Sequence, residues 1–356
     1  MINSHYVPQF ILRNFYVDDK ISYCDLQERT VQLRNSKSVF SEEGYYPEDI
    51  EKALCKKAEY QFANLYHNKF ESSTNSISLT DDEIFVLKKY LIVSALRFKH
   101  EVSESEAELI EKLGPAFKTD YDRCLREILQ CENVDDALKA MNPVMEFWEE
   151  ARKGKDPREM DSYNLRLGME IREILYSYLV FVRARGEEKF LIPDVGRGAY
   201  DGPLGMRKMY GMFENVMKSG NLTMMQLMQF IGVRDYYIYP LSKDLAVLTM
   251  NPFFLVFMDG RFHMNVILPE ECPTLSSVLG FGNSQIIAPP KAKRRGMNLE
   301  QRYEIRAITS EDVSHLNCVM IGGAKRYIAF SEIERVQKSA KRMTECSDRD
   351  CSFMLI

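Results

Sequence analysis

The run Ser4-His5-Tyr6-Val7-Pro8-Gln9-Phe10-Ile11-Leu12-Arg13-Asn14-Phe15 sets a side chain that titrates near neutral pH and a permanent cation around an apolar segment. An imidazole can give or take a proton, and a guanidinium can grip a carboxylate or phosphate through two parallel hydrogen bonds. Pro8 suits the first turn of a helix, where its missing N–H costs nothing, and Phe10, Ile11, Asn14 and Phe15 then fall on one side. His5 stands before that helix and Arg13 near its end. Other chemistries leave no trace. There is no G-x-x-x-x-G-K-[ST] or G-x-G-x-x-G loop to cradle a nucleotide, and no G-x-S-x-G elbow.

The elements that must position such groups follow from periodicity. Ile21–Leu26 and Val31–Leu33 flank a short polar turn and predict a strand, turn and strand. Pro47 opens a strong helix, in which Ile50, Leu54, Ala58, Phe62 and Leu65 recur at helical spacing to about Phe70. Thr80-Asp81-Asp82-Glu83 is a capping box for the next helix, which Ile84, Leu87, Leu91, Ala95 and Phe98 carry toward His100. Helical patterns continue through Tyr121–Leu129, Val134–Ala151 and Tyr163–Arg185, so the first half reads as almost all helix. From Phe190 the texture changes. Phe190–Ile192, Ala246–Thr249, Phe253–Phe257, His263–Ile267 and Tyr327–Phe330 predict strands, and Glu311-Asp312 start a last helix through Asn317. Met206–Phe230 is a Met-rich amphipathic stretch, of a kind that more often fills a core than holds a cofactor.

Composition narrows the class. The chain has 356 residues, 45% hydrophobic and 28% charged, enough for a large core and ordinary for a globular protein. No apolar run approaches the length a bilayer requires, and no basic and apolar leader precedes the opening block, so a cytoplasmic location without a membrane partner is expected. Eight cysteines without a C-x-x-C pair read as reduced thiols rather than a zinc site. A net charge of −5 argues against a general nucleic-acid coat protein. One dense basic run, Lys291-Ala292-Lys293-Arg294-Arg295, is either a solvated loop or a phosphate-steering one.

Several separated blocks, taken in order, resemble the family catalogued as domain of unknown function 4238. They are the opening block, Ile50-Glu51 followed by Glu59, the helix Leu91–Arg97, Phe190-Leu191-Ile192-Pro193-Asp194, Tyr239-Pro240-Leu241-Ser242, and Val313–Asn317 with Ala324-Lys325-Arg326-Tyr327. Where the family shows Ser before the Asp and Asn-Pro after it, this chain has Pro193 and Val195-Gly196. Those changes keep the carboxylate and alter the loop that carries it.

The resemblance marks His5, Arg13, Glu51, Glu59, Arg97 and Asp194 as polar groups in apolar surroundings, which must pair or bind something. Glu51 and Glu59, eight residues apart on a helix, share a broad face about 12 Å long, too far apart to hold one metal together. The expected site takes His5, Glu51 and Asp194 as catalytic groups, with a divalent metal or plain acid–base chemistry, and Arg13, Arg97 and Glu59 as substrate-binding groups. The other reading is a structural network in which the arginines neutralise the carboxylates and His5 caps a helix. His67, His100, His263 and His315 match no block and read as structural or surface groups.

The expected fold is α+β, with a helical N-terminal half packed on a C-terminal mixed or antiparallel sheet. One integrated domain would span residues 1–342, with a flexible tail at 343–356. The function this implies is a prokaryotic nuclease or phosphodiesterase linked to phage defence, with a nucleic acid or nucleotide as partner. The alternative is a non-enzymatic ligand-sensing or interaction module.

Overall fold

The computed structural model describes residues 3–99, 119–142, 146–147, 149–150, 153–156, 159, 165–200, 236–250, 298–346 and 351–355. The strands expected at 253–257 and 263–267, the Met-rich stretch at 206–230 and the basic run at 291–295 lie outside the described residues.

The class is α+β, and chain halves distant in sequence share its sheets. Strand β1 (Asn3–His5) pairs antiparallel with β4 (Ser41–Glu43). The hairpin of β2 (Ile21–Asp25) and β3 (Thr30–Arg34) extends into a four-stranded antiparallel sheet in the order β3-β2-β12-β7, where β7 is Ile192–Pro193 and β12 is Tyr327–Phe330. A mixed six-stranded sheet runs β5-β11-β6-β10-β9-β8. In it β5 (Ser76–Thr80) pairs with β11 (Glu300–Ile308), and β11 runs parallel to β6 (Tyr178–Ala184). Then β10 (Leu245–Met250), β9 (Tyr236–Pro240) and β8 (Gly198–Tyr200) complete it.

Two expectations are corrected. The N-terminal half is not almost all helix, because it supplies β1–β5 and the central strand β6. The pattern read as a helix over Tyr163–Arg185 is a helix only over Leu165–Leu175 in the described residues. Its continuation is rich in aromatic and β-branched residues, which suit a strand flanked on both sides by neighbours. The segment expected as a tail is packed where it is described: the helix Gln337–Cys346 buries Ala340 and Met343, and Cys351 and Met354 are buried beyond it.

The helix Asp81–Arg97 is the pillar of the fold. Its start is the capping box the spacing predicts, with Thr80 and Glu83 exchanging side-chain and backbone bonds. Almost every residue from Ile84 to Arg97 is buried, which for Lys88 and Lys89 demands an explanation. Lys88 Nζ donates to the carbonyls of Leu175 at 2.6 Å and Ser177 at 2.9 Å, and Lys89 Nζ to those of Leu129 at 3.3 Å and Cys131 at 2.7 Å. Adjacent lysines thus cap the C-terminal ends of two different helices, Leu165–Leu175 and Tyr121–Gln130, satisfying carbonyls that helices leave open.

Candidate functional site

The helix that follows Pro47 is not uniform. It is α-helical over Glu48–Leu54, widens into a π-turn over Cys55–Glu59 closed by Tyr60 N–H to Cys55 O, and resumes over Tyr60–Leu65. Eight residues of plain α-helix turn about 80° past two full turns, which would set Glu51 and Glu59 at opposite edges of one broad face. One extra residue in a widened turn makes the eight count as seven, about 20° short of two turns. The π-turn therefore brings Glu51 and Glu59 onto one stripe, with the exposed Cys55 between them.

Arg97, 1% exposed, lies against that stripe from the end of the pillar helix. Its Nη2 stands 2.5 Å from Glu59 Oε1, the Tyr46 hydroxyl lies beside the guanidinium, and Nε and Nη1 are buried without a well-aligned hydrogen bond among the described residues. The carboxylates and the Tyr46 ring around it hold its pKa above the ordinary guanidinium value, so it is permanently charged. Tyr46 donates from its hydroxyl to the Arg97 carbonyl.

Glu51 is the opposite case. Its Oε2 is buried without a partner, and burial raises its pKa, with Arg97 opposing the rise, Glu59 adding to it, and the Ser4 hydroxyl beside it opposing it. Ser4 Oγ, beside Glu51, and Ser94 Oγ, beside Tyr90, are also buried without a well-aligned hydrogen bond among the described residues. Among the described residues, the cluster of Ser4, Glu51, Ser94 and Arg97 concentrates such atoms, and native proteins rarely leave them unexplained.

His5 closes the cluster from β1. Its Nε2 lies 3.1 Å from the Ser36 carbonyl, a geometry in which Nε2 carries the proton and donates. Burial lowers its pKa, and Arg97 lowers it further against the pull of Ser36 and Glu59. His5 is thus a neutral imidazole at pH 7.

The structure brings together His5, Glu51, Glu59 and Arg97. Asp194 lies elsewhere, at the end of β7, where Oδ1 accepts from the Lys325 N–H at 2.9 Å and Oδ2 from those of Arg326 at 2.7 Å and Tyr327 at 2.9 Å. Desolvation nevertheless raises its pKa. Gly196, at φ +73°, closes the Pro193–Gly196 turn that presents this carboxylate, a backbone shape that favours glycine. The Tyr6 hydroxyl feels the Asp194 charge, whereas the preceding residue, His5, at the end of β1, interacts with Arg97 and Glu59. Arg13 is not embedded. Its short helix buries Ile11 and Leu12, leaving Arg13 exposed with a 3.4 Å bond to Gln9 Oε1.

Sequence reasoning missed Ser4, Tyr46, Tyr90 and Ser94. Tyr90, Ser94 and Arg97 recur at spacings of four and three, one polar stripe on a helix otherwise sealed in the core, and that was a usable signal. It also missed a second buried arginine. Arg197 binds Glu170 through two bonds, Nη1 to Oε2 at 3.0 Å and Nη2 to Oε1 at 2.8 Å, and Nη1 also donates to Tyr239 Oη at 3.1 Å. Its guanidinium carbon lies 4.3 Å from the centre of the Tyr237 ring.

Among the described residues no group of three or more His, Cys, Asp or Glu side chains is placed to hold a metal ion, and no helix is long and apolar enough to cross a membrane. A family model described as protein of unknown function (DUF4238) matches residues 3–334. No curated protein and no solved structure matches the chain.

Proposed function

This chain belongs to the DUF4238 family, and from that premise we propose that the cluster of His5, Glu51, Glu59 and Arg97 is its functional site, a place where Arg97 receives an oxyanion. One observation carries the reading: a permanently charged guanidinium, almost wholly buried, makes no well-aligned hydrogen bond from Nε or Nη1 among the described residues, with the Tyr46 hydroxyl and the Glu51 carboxyl beside it. Buried guanidinium donors next to a carboxyl whose pKa is raised are what an acid–base site needs. In enzymatic form the oxyanion is a phosphodiester of a nucleic acid or nucleotide. Water attacks phosphorus and gives up one proton to the solvent, the ester P–O bond breaks, Glu51 in its acid form delivers its proton to the leaving oxygen, and the solvent later returns a proton to Glu51, the chemistry a cytoplasmic prokaryotic nuclease or phosphodiesterase of phage defence would use. Asp194 takes no part in this reading, since three amides occupy its oxygens. Residues 1–342 are read as one working unit because β2 with β12 and β5 with β11 pair across it.

The competing reading is a non-enzymatic lock, and it has an observation of its own in the 2.5 Å contact of Arg97 with Glu59. Thermal melting in rising phosphate separates the two, because an occupied site stabilises by mass action and a closed lock does not. The site reading expects a phosphate-dependent rise in Tm that Arg97→Lys weakens. Hydrolysis of a simple aryl phosphodiester, measured with and without a divalent metal, tests the enzymatic form, and Glu51→Gln should abolish any rate found.

A further inference from the structure

The charges around Arg97 limit how an oxyanion can enter. Arg97 is already matched by Glu59, at 2.5 Å from a guanidinium 1% exposed. An incoming oxyanion facing Nε and Nη1 therefore adds negative charge to a pair that is already neutral. If Glu51 were ionised as well, two anions would share a desolvated cluster with no further cation among its described neighbours, an arrangement that proteins avoid.

We infer that the oxyanion enters together with a proton, that Glu51 carries this proton, and that the resulting carboxylic acid donates a hydrogen bond to the bound oxyanion while Arg97 supplies the charge. This rests on the oxyanion reading above and adds to it the regulation of the site by pH. Glu51 is the group that can take the proton because of what surrounds it. Its Oε2 makes no well-aligned hydrogen bond among the described residues, and the Ser4 hydroxyl beside the carboxyl can accept as readily as donate. The other groups facing it cannot do so. Arg97 does not titrate, Glu59 is the counter-ion of Arg97, and the Tyr46 hydroxyl and Cys55 thiol already hold their protons, their pKa values being raised by burial. His5, from β1, faces Arg97, which disfavours a second cation.

Sulfate is the decisive probe, because it is an oxyanion that does not itself titrate between about pH 5 and pH 8, so any proton taken up must go to the protein. Binding heats measured at one pH in two buffers of different ionisation enthalpy give the number of protons taken up. The expected result is uptake of up to about one proton per sulfate, with affinity falling toward tenfold per pH unit above the Glu51 pKa. Glu51→Gln should bind sulfate with no uptake and an affinity flat across that range. Sulfate binding to the parent protein without proton uptake, or uptake that survives Glu51→Gln, would overturn the inference and leave the oxyanion site standing. Absence of sulfate binding at every pH would defeat the oxyanion site itself. The two-buffer measurement on the parent protein does not depend on the variant's folding.

Discussion

Two buried arginines occupy similar positions in the chemistry of this fold and differ in how completely they are answered. Arg197 meets both oxygens of Glu170, the Tyr239 hydroxyl and the face of Tyr237. Arg97 meets one oxygen of Glu59, with the Tyr46 hydroxyl beside it, and makes no well-aligned hydrogen bond from Nε or Nη1 among the described residues. A charge removed from water is tolerable when a counter-ion and hydrogen bonds meet it, so the Arg197 cluster, with its two-bond pair to Glu170, behaves as a finished joint. The Arg97 cluster spends stability on donors it does not use, and proteins keep such sites where something else is to be bound.

The sharpest way to break this contrast is to remove a partner from the finished joint. Glu170→Gln strands the Arg197 charge and should cost about 3–5 kcal/mol of unfolding free energy in urea titration. A loss below about 1 kcal/mol would mean that Arg197 is not held as its geometry implies. Asp194 belongs to the same finished class, its two oxygens shared among three amides. Asp194→Asn turns an N–H toward at least one of those amides and removes the charge that strengthens the rest, so we expect a loss of about 2–3 kcal/mol by the same titration.

Lys88 sharpens the comparison in another direction, as a buried amine held by two carbonyls with no carboxylate at hand among the described residues. Burial lowers its pKa to about 7. Between that value and the ordinary lysine value near 10.4 the unfolded chain holds a proton that the folded chain lacks, so stability rises with pH across this window, by up to about 1.4 kcal/mol per pH unit. Lys88→Met should flatten that rise, as followed by urea midpoints between about pH 7 and pH 10. The smallest effect belongs to the open cluster. Because Glu51 has a raised pKa, the folded chain holds its proton more tightly than the unfolded one, and stability is lost as pH rises from the ordinary carboxylate value through the folded one. Glu51→Gln should therefore equal or slightly exceed the parent at pH 7, by less than about 1 kcal/mol, and match it at low pH. A large loss at pH 7 would make Glu51 a working partner of Arg97 and close the cluster.

Much of this was legible from local pattern. The Thr80 capping box, the β2–β3 hairpin and the strand Tyr327–Phe330 were all expected, because caps, turns and two-residue alternation are written in neighbouring residues. The strand β6 was misread, since a run such as Tyr178–Val182 fits a buried helix as well as a buried strand until its neighbours are known. The site residues divide in the same way. Arg13 was placed by its apolar neighbours in sequence, yet a one-and-a-half-turn helix that buries Ile11 and Leu12 must turn Arg13 outward.

By itself the sequence determined the α+β class, most helix starts, the family, and the residue types of the cluster, because propensity, capping and hydrophobic period act over a few residues. Only the tertiary structure decided which charges meet. The π-turn at Cys55–Glu59 realigned Glu51 with Glu59, and β1 set His5 toward Arg97. The turn at Gly196 gave Asp194 to three backbone amides. Each of these depends on a partner far along the chain, and hydrogen bonds and ion pairs between distant residues exist only once packing has fixed both ends to within an ångström or so.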